Sequence, residues 1–107
     1  MRQINAAALA AWLDDQQRPA PTLIDVREPW EFRHCRIEGS LSMPMAVVPA
    51  RMAEIERERE IVLICHHGGR SAQVGLFLEY QGFTRVFNLA GGVAGWAAQV
   101  DPQMPQY

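Results

Sequence analysis

Four apolar residues, Ile61-Val62-Leu63-Ile64, run without a polar interruption into Cys65. A strand covered on one face alternates apolar and polar side chains, so a strand apolar throughout needs cover on both faces. Thr22-Leu23-Ile24-Asp25-Val26 has the same character, Arg85-Val86-Phe87-Asn88 reads as a further strand, and a brief one fits Leu41 to Met43. Helical signals separate these strands. Asn5 caps a helix through Ala6, Leu9, Trp12 and Leu13, which Arg18-Pro19-Ala20-Pro21 ends. Pro29 starts a short helix through Trp30, Phe32 and His34, and Gly39-Ser40 turns the chain. Pro49 starts a charged helix reaching about Glu58. Val74, Phe77 and Leu78 then fall at helical spacing before Gly82, and Val93 to Val100 forms a last helix around Trp96. The alternation predicts an α/β fold with a central parallel sheet and helices on both sides.

At 107 residues and 49% hydrophobic, the chain holds one core and is too short for two. A single domain is expected over 1–107, with its core at about 4–100 and residues 101–107, with two prolines, as a loosely ordered tail. The formal charge of −2 supplies no basic field for nucleic acid, and no apolar run approaches a membrane span. All ten basic residues are arginines, which removes lysine Schiff-base chemistry. Ile4 to Leu13 behind Arg2 is too short and too poorly charged at its start for an export signal, so a reducing cytoplasm is expected, with Cys35 and Cys65 as free thiols.

The segment Cys65-His66-His67-Gly68-Gly69-Arg70-Ser71 joins a buried strand to a helix. Strand end, tight loop and helix start aim several backbone N–H groups at one point, and the glycines let the loop curl. A thiol held there ionises readily, and the thiolate is the nucleophile. Arg70 adds a positive charge for an anionic substrate or for the loop itself. The alternative for Cys65 is a small buried residue at a strand end. His66 and His67 are either exposed loop residues or substrate contacts. Adjacent loop histidines do not turn three side chains onto one ion together with Cys65, so neither a metal nor a cofactor is expected.

A cysteine, four residues and an arginine after a buried strand resembles the active-site loop of rhodanese-family sulfurtransferases. Two further segments agree: Leu23-Ile24-Asp25-Val26-Arg27-Glu28 with Glu31-Phe32, and Leu89-Ala90-Gly91-Gly92 with Gly95-Trp96. The resemblance runs from about Ile4 to Val100. It departs after Phe32, where the family shows glycine-histidine-isoleucine and this chain has Cys35-Arg36-Ile37.

The resemblance implies a sheet of about five strands and a persulfide on Cys65, cradled by the loop His66, His67, Gly68, Gly69 and Arg70. Asp25, Arg27 and Ser71 are expected to support that loop, with Asp25 accepting hydrogen bonds at the end of a strand beside the Cys65 strand. The implied partners are a small sulfur donor such as thiosulfate and an acceptor that is cyanide, a thiol or a protein. Two alternatives stay open. One is a non-catalytic rhodanese-like binding module; the other is a cysteine phosphatase or arsenate reductase, whose signature loop is one residue longer. Gly91-Gly92 is read as a turn and Trp96 as core.

Overall fold

The computed structural model describes residues 1–107. Five strands, β1 (Arg2–Ile4), β2 (Thr22–Asp25), β3 (Leu41–Ser42), β4 (Ile61–Ile64) and β5 (Val86–Leu89), form one sheet in the order β1-β5-β4-β2-β3. Every pairing is parallel. The most apolar strand, β4, is central, and its register sets Asp25 opposite Ile64, one residue before Cys65. Parallel neighbours need crossovers, and helices supply them: α1 (Ala6–Asp14), α2 (Pro29–His34), α3 (Val48–Arg51) and α4 (Gly69–Tyr80); α5 (Gly92–Gln99) follows the last strand.

Alternation along β4 divides the core into two layers. Val62 and Ile64 face the cluster that holds Leu9 and Trp12 of α1 and Val93 and Trp96 of α5. Ile61, Leu63 and Cys65 face the other cluster, with Val74 and Leu78 of α4, Val48 and Phe83. All four β4 residues are fully buried, each worth roughly 1.5–3 kcal/mol relative to exposure. The N-caps follow the sequence. Asn5 Oδ1 accepts from the Ala8 N–H at 2.8 Å, and Glu28 with Glu31 forms a reciprocal capping box at the start of α2.

Two expectations are corrected, and one strand was not anticipated. The charged helix from Pro49 does not reach Glu58. It gives way to a 3₁₀ turn over Met52–Glu54, and Ile55 leaves the helical path in an extended conformation to bury its side chain in the layer with Ile61. Strand β1 carries no apolar run because it is an edge, with Arg2 and Gln3 exposed. Residues 101–107 pack back onto the domain: Met104 is buried in the layer of Trp96, and Tyr107 is hydrogen-bonded to Glu31 and Arg27. No helix is long and apolar enough to cross a membrane.

Candidate active site

Cys65 sits at the carboxyl end of the central strand, where parallel α/β sheets hold their ligands. Its side chain is buried, and the loop after it bends back over the sulfur. The turn needs Gly68, whose φ of +108° belongs to the left-handed region; from there α4 begins. The Gly68 N–H donates to Cys65 Sγ at 3.0 Å, and the Ser71 hydroxyl lies 3.2 Å from the same atom. Burial alone pushes the thiol up. Hydrogen bonds from the Ser71 hydroxyl and from the N–H groups of Ser71, Gly68 and His67 outweigh it, and hold Cys65 below its ordinary value.

The cradle is fixed from behind by residues that the sequence reading did not single out. Asn88 on β5 accepts from the Ser71 hydroxyl and donates through Nδ2 to the Gly68 carbonyl at 3.2 Å and to Gln3 Oε1 at 2.9 Å. A polar residue in the otherwise apolar run Val86-Phe87-Asn88-Leu89 is the sequence signal for it. The start of α5 holds the other side. The Val93 N–H donates to the Cys65 carbonyl at 2.9 Å and the Ala94 N–H to the His66 carbonyl at 3.1 Å. Gly91-Gly92 is therefore more than a turn: at Gly92, with φ of +57°, a Cβ would collide with the carbonyls of Cys65 and His66.

Arg70 does not project free charge into the site. Its two terminal nitrogens donate to the two oxygens of Glu31 at 2.7 and 2.9 Å. That pairing, helped by the Tyr107 hydroxyl and the Glu28 N–H against burial, holds the Glu31 carboxyl down at about 2. Arg27 is wholly buried and pairs with wholly buried Asp25 at 2.7 Å. Burial opposes its charge, but the bonds to Asp25 and Tyr107 overcome this and raise its pKa above the usual value. Removing either member of such a pair costs about 3–5 kcal/mol. Asp25 accepts from the Arg27 side chain and from the Arg27 N–H at 3.0 Å, not from the Cys65 loop. Arg27 in turn donates onward to the Cys35 carbonyl and to Tyr107, not to the Cys65 loop.

His66 and His67 stack on each other at 4.0 Å, and Tyr107 stacks on His66 at 4.1 Å, so three rings form a ladder on the loop after Cys65. Burial, then the neighbouring His67, pushes the His66 imidazole down; Glu31 pulls the other way, and Arg70 and Arg27 add to the depression. Gly69 is exposed beside Arg70 at the start of α4. Cys35 is buried in the layer opposite Cys65, with Arg27 Nη1 3.7 Å from its sulfur.

Residues 5–99 match the family described as Rhodanese-like domain. The chain is 37% identical to the "Sulfurtransferase" of Allochromatium vinosum over 97 residues, covering 91% of this chain and 89% of that protein. It is 29% identical over 80 residues to the "Thiosulfate sulfurtransferase GlpE" of Tolumonas auensis, with 75% of this chain and 76% of that one covered. Other relatives are longer: the chain spans 30% of the chloroplastic "Rhodanese-like/PpiC domain-containing protein 12" of Arabidopsis thaliana, at 36% identity over 79% of itself. Among solved structures, the rhodanese-related protein of Thermoplasma volcanium superposes with a TM-score of 0.83 at 32% identity, covering 94% of each chain.

Proposed function

Because the chain belongs to the rhodanese-like domain family, whose members here include named sulfurtransferases, we propose that it moves sulfane sulfur through a persulfide on Cys65. The observation that carries this reading is the cradle at the Cys65 sulfur: the Gly68 N–H at 3.0 Å and the Ser71 hydroxyl at 3.2 Å stabilise negative charge on sulfur without any separate base. In the loading step the Cys65 thiolate attacks the outer sulfur of a donor such as thiosulfate. The donor's S–S bond breaks and sulfite leaves with the electron pair. In the discharge step a thiophilic acceptor, whether cyanide, a thiol or a protein thiol, attacks the outer sulfur of the persulfide and returns the electron pair to Cys65.

His66 to Arg70 then act as the amide cradle and mouth of the site. Arg70 has its charge compensated by Glu31, which favours a loop-holding role over direct binding of the donor. Both cysteines are free, in keeping with the reducing cytoplasm in which we place the reaction.

The test is turnover of thiosulfate with cyanide, read as thiocyanate, alongside hydrolysis of an aryl phosphate. Thiocyanate formation that disappears in Cys65→Ser, with the phosphate untouched, is the expected outcome. Phosphate hydrolysis without sulfur transfer overturns the reading in favour of a phosphatase, and neither activity leaves it a binding module.

A further inference from the structure

The family match ends at residue 99, yet the chain beyond it folds back onto the loop that follows Cys65. The Asp101 N–H donates to the Trp96 carbonyl and the Met104 N–H to that of Asp101, Met104 buries its side chain, and Tyr107 is delivered against His66. The phenol lies nearly parallel to the His66 ring, at 4.1 Å and 13°. Trp30 and His34 stand edge-on to it at 5.5 and 5.6 Å. Its hydroxyl donates to Glu31 Oε2 at 2.7 Å and accepts from Arg27 Nη1 at 2.9 Å.

Tail residues are usually poorly held. This one is fixed by three rings and two charged groups, although the residue is 39% exposed. The charges around it cancel in pairs, Arg70 with Glu31 and Arg27 with Asp25. What Tyr107 presents to an incoming molecule is therefore an aromatic wall, which sorts by size and shape rather than by charge.

We propose that Tyr107 is a specificity-determining residue of the sulfur-transfer site: its ring, stacked on His66, narrows the mouth so that a small acceptor reaches the persulfide and a bulky thiol is held off. The inference rests on the persulfide reading above. The affected step is discharge. With cyanide, the carbon takes the outer sulfur to give thiocyanate and Cys65 leaves as thiolate; with glutathione, its thiolate takes the same sulfur to give glutathione persulfide and the Cys65 thiolate.

The experiment loads the full chain with thiosulfate and verifies the added sulfur by intact mass. Single-turnover discharge is then timed with cyanide and with glutathione. Tyr107→Ala raises the glutathione-to-cyanide rate ratio about tenfold, or about 1.4 kcal/mol in relative barrier. Tyr107→Phe, which keeps the ring, stays within about twofold of the wild-type ratio, as does Tyr80→Ala on the exposed face of α4. A Tyr107→Ala ratio equal to wild type, or a Phe variant as permissive as the Ala one, overturns the assignment while leaving the sulfurtransferase reading intact. A wild-type chain that acquires no sulfur overturns both.

Discussion

Arg70 meets Glu31 end-on, with its two terminal nitrogens on the two carboxylate oxygens at 2.7 and 2.9 Å. Glu31 lies on α2 and Arg70 on α4, so the pair ties the end of the Cys65 loop to a different crossover of the sheet. Holding the loop and binding the donor make opposite predictions for Glu31→Gln. If Arg70 bound the donor anion, removing the competing carboxylate would speed loading. A loop-holding Arg70 loses its anchor instead, and sulfur loading slows by about tenfold in both Glu31→Gln and Arg70→Ala, the cost of losing roughly one charged hydrogen bond of 1.5 kcal/mol. Arg70→Lys recovers part of the rate, because a point charge cannot reproduce the two-pronged contact. Loading rates followed by mass spectrometry decide between the two.

The same pair predicts how stability responds to acid. Glu31 titrates at about 2 in the folded chain, down from 4.5. A depressed carboxyl contributes stability that is fully present above its unfolded value and is lost as pH falls through its folded value. Denaturant midpoints should therefore hold from pH 7 to about 5 and decline between 4.5 and 2. Arg70→Ala starts from a lower midpoint and declines less steeply over that window. An equal slope in the two proteins would mean that Glu31 draws its stabilisation from the Tyr107 hydroxyl and the Glu28 N–H rather than from Arg70.

The parts of this arrangement that were legible in the sequence are those built from neighbours in the chain. An uninterrupted apolar run specified β4, Asn5 and Pro29 marked helix starts, and the glycines after Cys65 marked a loop able to turn its amides inward. Contacts between distant segments left weaker traces. Asn88 is a single polar residue in a strand, and its bonds to Ser71 and Gly68 follow only from the order of β5 beside β4. Tyr107 lies in a segment with two prolines and no periodicity, which reads as tail until the Arg27 and Glu31 side chains are seen converging on its hydroxyl. Asp25 was drawn toward the loop by strand adjacency, but Arg27, two residues on, competes successfully for both of its oxygens.

Ser71 has one hydroxyl proton and two acceptors, Cys65 Sγ and Asn88 Oδ1. When Cys65 is a thiol, its S–H can donate to Ser71 while Ser71 donates to Asn88. Once the thiol ionises, the Ser71 proton is worth more on sulfur. Ser71→Ala removes that donor, so the pH midpoint for alkylation of Cys65 by iodoacetamide moves up. At pH 7 the alkylation rate falls by about fivefold, the equivalent of a hydrogen bond worth about 1 kcal/mol. An unchanged midpoint would assign the lowered pKa to the backbone N–H groups alone.

The two thiols separate on surroundings rather than on exposure, since both are buried. Cys65 Sγ receives the Gly68 N–H and faces the Ser71 hydroxyl at a strand-to-helix loop. Cys35 ends α2 and lies in the opposite apolar layer, where its sulfur meets only the Arg27 guanidinium at 3.7 Å, a group already committed to Asp25, Tyr107 and the Cys35 carbonyl. A persulfide there would place its outer sulfur among apolar side chains with no cradle of backbone N–H groups to stabilise the charge. Brief thiosulfate treatment should therefore add one sulfur to the wild-type chain and to Cys35→Ser, and none to Cys65→Ser. Cyanide should then remove the added mass and yield an equal amount of thiocyanate. If Cys65→Ser still gains the sulfur and turns over, Cys35 is the carrier and the cradle at Cys65 serves some other anion.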